Sequence, residues 1–141
     1  RSGPIAIVVI ALVLLNKFAA MEALLVGDAR ILLLLAPVLG RALVVLLLIT
    51  TPYVRPEGLG APYARFLPRL SCGLMVLLIS TVTVAALDWR GGALLGVLGL
   101  GFFGLRQALL HRLGGITGDT LGAACELAET AVLLVPLLLP D

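Results

Sequence analysis

The run Gly114-Gly115-Ile116-Thr117-Gly118-Asp119 sets three glycines and a carboxylate ahead of an apolar helical segment that begins near Asp119 or Thr120. Amides at a helix start point outward and attract phosphate. Asp119 would repel a bare phosphate, but it would welcome a magnesium ion bridging to one. The plainer reading is helix capping by Thr117 or Asp119, with the glycines letting helices pack closely. In the helix that follows, a turn of about 100° per residue places Asp119, Gly122, Glu126 and Glu129 along one stripe. A carboxylate inside a membrane span costs at least about 2.5 kcal/mol unless it is paired or wetted. Glu126 and Glu129 therefore imply a cation, a proton or a water-filled cleft. Alternatively they pair with Arg41 or Lys17, each also inside an apolar segment, and the two readings can coexist.

Other ionisable groups fall under the same cost. Lys17 and Glu22 are five residues apart, roughly 140° around a helix, so each needs a partner on another helix. Arg41 follows Pro37 and Gly40, a kink signal, and sits too deep to snorkel in either direction. Arg106 lies close to the end of its segment, where snorkelling is expected, and His111 beside Arg112 reads as a solvated interfacial histidine. Cys72 and Cys125 occur in apolar stretches and read as core thiols. The sequence shows no His and Cys cluster with metal-ligand spacing and no serine–histidine–acid set.

The elements that must position these groups follow from composition. Of 141 residues, 61% are hydrophobic and 13% charged, and the mean hydropathy is +1.18. Soluble domains are about half apolar and a quarter charged, so a soluble class is excluded. Disorder is excluded by the apolar content, and a disulfide framework by the presence of two cysteines. The formal charge of +2 is too small and scattered for nucleic acid to be a partner. Five stretches approach the roughly 20 apolar residues of a spanning helix: Pro4–Val26, Ile31–Val54, Leu70–Leu87, Gly91–Leu110 and Thr120–Leu139. The apolar runs ignore strand parity, which excludes a β-barrel. The expected fold class is all-α, a polytopic membrane helical bundle of about five transmembrane helices forming a single membrane domain in a lipid bilayer. Gly92, Gly96, Gly99, Gly101 and Gly104 make the fourth span a packing helix, inside the bundle or in a homo-oligomer.

The connections are short apart from Thr51 to Arg69, whose four prolines and Glu57-Gly58-Leu59-Gly60 run predict a structured loop. With five spans, Arg1, Arg55, Arg65, Arg69 and Arg112 share one side. Arg30 and Arg90 lie on the other, with Asp28, Asp88 and Asp141. The arginine excess predicts that the long loop and the glycine loop face the cytoplasm. Pro4–Val26 is too long for a signal peptide, carries Lys17 and Glu22, and is followed by no cleavage signal. The opening Arg1-Ser2-Gly3-Pro4, without an initiator methionine, suggests a portion of a longer chain.

The stretch from Leu113 to Glu129 resembles the C-terminal signature of the adenosylcobinamide-GDP ribazoletransferase (cobalamin synthase) family. Glu57-Gly58-Leu59-Gly60, downstream of an arginine in the position of Arg41, is similar to that family's central loop. Arg1-Ser2-Gly3 resembles the tail of an Asp-x-Arg-x-Gly segment, and Lys17 with the following Phe18-Ala19-Ala20 is similar to the next helix. The family's upstream Asp-Gly-x-x-Asp motif, thought to hold magnesium, does not occur here, which makes this chain similar to the C-terminal portion of such an enzyme. The resemblance implies an Mg2+-dependent phosphotransfer at the bacterial cytoplasmic (inner) membrane, joining adenosylcobinamide-GDP to α-ribazole or its phosphate with release of GMP. On that reading Asp119 is catalytic and holds the metal, and Glu126, Glu129 and Lys17 complete the catalytic set. Arg41, Arg55, Gly114, Gly115, Thr117 and Gly118 would bind phosphate. A secondary transporter using Glu22 and Arg41, or a non-catalytic scaffold subunit, are the alternatives; neither explains the signature.

Overall fold

The structure, a computed structural model, describes residues 3–26 and 30–140. Arg1, Asp28 and Asp141, and the turn through 27–29, lie outside the described residues. Five helices follow one another: α1 (Gly3–Val26), α2 (Ile31–Thr50), α3 (Ala61–Phe66), α4 (Arg69–Leu113) and α5 (Gly118–Leu138). Among the described residues four helices, α1, α2, α4 and α5, are long and apolar enough to cross a membrane. At 45 residues, α4 would extend about 67 Å if straight, twice the thickness of a hydrocarbon core.

It is not straight. Asp88 leaves the helical region with φ 50° and ψ −131°, at the position where the sequence predicts a turn. Beyond it the second arm folds back on the first: a Cβ at Gly91 would lie 2.6 Å from the Thr83 carbonyl oxygen, eight residues earlier. The expected third and fourth spans are thus the two arms of a hairpin, and the five-crossing bundle stands. Two boundaries shift. The second span stops at Thr50, four residues short of the expected Val54, because Thr51 is extended and Pro52 cannot continue a helix. The proline-rich loop contains a short helix of its own, α3, started by Pro62 in its first turn.

Helix α5 is central and packs chiefly on α2, with α1 and the α4 hairpin flanking the pair. One core layer, toward the hairpin tip, joins Ala20 and Leu24, Leu32 to Leu39, Leu94, and Val132 with Leu133. A second, toward the loops, joins Leu47, Phe102, Leu109, Ile116, Leu121 and Ala124. At that end a parallel bridge couples the two loops, with the Ile116 amide donating to the Pro52 carbonyl (2.9 Å) and the Val54 amide to the Ile116 carbonyl (3.0 Å). At the opposite end Arg90 donates to the Pro140 carbonyl (3.0 Å). The glycine stripe behaves differently from expectation. A Cβ at Gly92, Gly96, Gly99, Gly101 or Gly104 would meet nothing within 4 Å, so these glycines do not pack the described bundle. The close glycine contact on this arm is Gly91 instead.

Candidate active site

Residues expected to act together are arranged in two places along α5. Asp119 opens the helix and Glu129 is ten residues further on, about 15 Å away by helical rise. The loop end carries Asp119, Arg55 and the glycine run. The middle of the bundle carries Lys17, Arg41, Glu126 and Glu129.

At the loop end, Gly114 has φ 76°, a left-handed conformation that ends α4, and its amide donates to the Leu110 carbonyl. Gly115 is required by close approach, since a Cβ there would collide with the Pro52 carbonyl oxygen. Thr117 is the N-cap of α5. Its hydroxyl accepts from the Thr120 amide, and the Thr120 hydroxyl accepts from the Thr117 amide, a reciprocal capping box. Capping, the plainer sequence reading, is therefore what Thr117 does in the structure, and Thr117 is buried. The amides of Gly114, Ile116 and Thr117 are already donating to protein acceptors. Those of Gly115, Gly118 and Asp119 have no acceptor among the described residues, which narrows the phosphate-cradling set expected after Gly114. The Asp119 carboxylate is 86% exposed and lies 3.5 Å from an Arg55 guanidinium nitrogen, itself well exposed.

In the bundle middle, Lys17 Nζ reaches both acids, Glu126 Oε2 at 3.0 Å and Glu129 Oε2 at 2.5 Å. Arg41 Nη1 donates to Glu129 Oε1 (3.1 Å) and to the Pro37 carbonyl (3.0 Å). Cys125 Sγ is 3.6 Å from Glu129 Oε1. The helices are brought this close by Gly40, where a Cβ would stand 2.7 Å from Glu129 Cγ. Two cations thus face two carboxylates, which is the interhelical pairing that the cost of an intramembrane charge demands. Glu129 is buried with both oxygens occupied, whereas Glu126 is half exposed and its Oε1 has no partner among the described residues. Gly122, between Asp119 and Glu126 on the same stripe, has open space above it. The two clusters are joined by an exposed track along α5.

A family model described as Cobalamin-5-phosphate synthase matches residues 1–137. The chain belongs to this family. Similar proteins include adenosylcobinamide-GDP ribazoletransferases of Pseudomonas syringae pv. syringae (strain B728a), 53% identical over 140 residues, and of Stutzerimonas stutzeri (strain A1501), 48% identical over 134. The alignments take in 99% and 95% of this chain, and 57% and 54% of those proteins. The chain thus spans a little over half the length of the curated relatives it matches. No solved structure matches it.

Tyr53, which the sequence reading passed over, and Arg106, which it placed differently, shape the loop end of the candidate site. Tyr53 lies under the loop, its hydroxyl accepting from the Gly60 amide (3.3 Å) and its ring occupying the space a side chain at Gly58 or Gly60 would need. The glycines at 58, 60 and 118 were the available signal. Arg106, expected to snorkel, instead donates from Nη2 to the Thr50 carbonyl (2.9 Å), and its Nε is buried without a partner among the described residues. The free carbonyls at the end of α2 capture it.

Proposed function

We propose that this chain takes part in the transfer for which its relatives are named, joining adenosylcobinamide-GDP to α-ribazole or its phosphate at a membrane. The observation that carries the reading is identity of about half across 99% of the chain. An acceptor oxygen of the nucleoside forms a bond to the β-phosphorus, the bond from that phosphorus to the bridging oxygen breaks, and GMP leaves with the electron pair. Such a step needs neutralised pyrophosphate charge and oriented donors.

Arg55, paired with Asp119, and the open amides of Gly118 and Asp119 form a donor-rich patch suited to phosphate oxygens. Among the described residues no group of three metal-ligating side chains occurs. Asp119 offers a single exposed carboxylate, which fits magnesium in its usual mode, one or two carboxylates with substrate phosphates and water completing the shell. When bound there, Mg2+ would supply charge neutralisation across the pyrophosphate. Glu126, with its open oxygen, would orient the acceptor or a basic group of the substrate, and Arg41 would add positive charge along the α5 track. Gly114 serves the turn, and Thr117 fixes the helix start that aims the amides. Lys17 and Glu129 hold Glu126 and Arg41 in place.

The test is GMP release from membranes carrying the intact gene product that contains this sequence, supplied with both substrates. Asp119→Asn is expected to lower turnover at least about tenfold at limiting magnesium, the scale of one lost charge-assisted contact. Gly104→Ala, in open space, should leave turnover unchanged. Wild-type turnover by Asp119→Asn at limiting magnesium would remove Asp119 from the site.

A further inference from the structure

A cavity of about 490 Å³ lies between α2 and the two arms of the α4 hairpin, away from the α5 track. Its walls are apolar, with Leu39 and Leu46 from α2, Val76 from the first arm, and Leu98 and Phe102 from the second. Only one end is polar, where Thr50 and Arg106 line it. The hydroxyls in the lining are committed, Thr50 Oγ1 to the Leu46 carbonyl and Ser80 Oγ to the Val76 carbonyl. No carboxylate lines the cavity. Arg106 therefore brings an uncompensated positive charge to the end of an apolar shaft. Thr50 also lines a neighbouring depression of about 270 Å³ that contains Arg69. Arg106 and Arg69 thus each line a hollow that Thr50 also lines at the loop end of the bundle.

The shape selects among occupants. From Leu39 to Thr50, α2 rises about 16 Å, close to half of a hydrocarbon core about 30 Å thick. A further transmembrane segment would have to carry an acid of its own to answer Arg106, whereas a phospholipid brings its phosphate to the end of the apolar shaft. A polar ligand would leave its own groups unsatisfied against these walls. We propose that the cavity is a binding site for an anionic phospholipid of one leaflet, with an acyl chain along the shaft and the phosphate received by Arg106, supported by Arg69. The charge-assisted bond compensates the guanidinium charge, and the acyl chain fills the space between α2 and the hairpin.

The intact gene product, reconstituted in nanodiscs of phosphatidylcholine with or without phosphatidylglycerol, provides the test. Native mass spectrometry should find phosphatidylglycerol retained, and its presence should raise the melting temperature. Arg106→Gln should weaken retention about tenfold. Gly99→Leu should abolish it by filling the shaft. A Cβ at Gly99 meets nothing within 4 Å and leucine favours helix, so this variant should melt as the wild type does in phosphatidylcholine alone. Arg112→Gln, at the exposed end of α4, should retain lipid normally. Equal retention of the two lipids, survival of retention in both Arg106→Gln and Gly99→Leu, or the same stabilisation from inorganic phosphate would each overturn the proposal.

Discussion

Glu129 has both carboxylate oxygens committed, one to Lys17 and the other to Arg41 and Cys125, while Glu126 keeps an oxygen open. That difference separates bracing from chemistry. Removing one partner from a buried ionic cluster leaves an uncompensated charge and costs about 3–5 kcal/mol, whereas removing both partners of a pair is far cheaper. Glu129→Gln alone should therefore lower the melting temperature, and Lys17→Met combined with Glu129→Gln should recover only part of the loss, since Glu126 then loses its partner too. If the pair only braces the helices, GMP release will recover with stability. Glu126→Gln should show the opposite pattern, near-normal melting with turnover reduced, because half of its side chain is solvent-accessible and a single ion pair is lost. Normal turnover in Glu126→Gln would assign that glutamate to bracing as well. Pairing of these acids with Lys17 and Arg41 was legible in the sequence, since an intramembrane carboxylate has few affordable alternatives. Which acid kept a free oxygen was not, because it depends on Gly40 letting α2 settle against the Glu129 side chain.

At the scale of elements, the loop end is held by a bridge and a ring. The Tyr53–Ile116 bridge ties the proline-rich loop to the start of α5, and the Tyr53 ring fills the hollow above Gly58 and Gly60. Tyr53→Phe removes one hydrogen bond, worth about 1 kcal/mol, and should leave the loop resistant to trypsin. Tyr53→Ala removes the ring, and cleavage at Arg65 should accelerate severalfold with little change in the helical signal. A loop that stays resistant in Tyr53→Ala would show that the bridge suffices. The spans and turns were readable because hydropathy and proline report them directly, as at Asp88 and Pro52. The destination of Arg106 was not, because its acceptor is a carbonyl 56 residues away. The glycine stripe misled for a related reason: small-residue spacing states that a backbone can be approached, not that anything described here approaches it. Asp88 carries its own consequence. A non-glycine residue at φ 50° stores on the order of 1–3 kcal/mol, so Asp88→Gly should raise the melting temperature, and Asp88→Val should lower it.

For the whole molecule, the bridged loops and the hairpin tip lie at opposite ends of the bundle, and the arginines divide unevenly between those ends. Arg55, Arg65, Arg69 and Arg112 belong to the loop end, and Arg30 and Arg90 to the other. On the proposed function, the positive-inside bias would orient the loop end toward the cytoplasm, where a guanine nucleotide is available. Leu59, 95% exposed in the loop, and Trp89, half-exposed at the hairpin tip, are natural reporters. In a background with Cys72 and Cys125 replaced by alanine, Leu59→Cys should react with an impermeant maleimide in inverted vesicles only, and Trp89→Cys in intact cells only. Labelling of both from one side would contradict a hairpin whose two arms each cross the bilayer, and with it the five-crossing fold. A clean reversal, with Leu59→Cys labelled from outside, would leave the fold intact but put Arg55, Asp119 and the open amides out of reach of the nucleotide. The two outcomes therefore separate failure of the architecture from failure of the proposed chemistry.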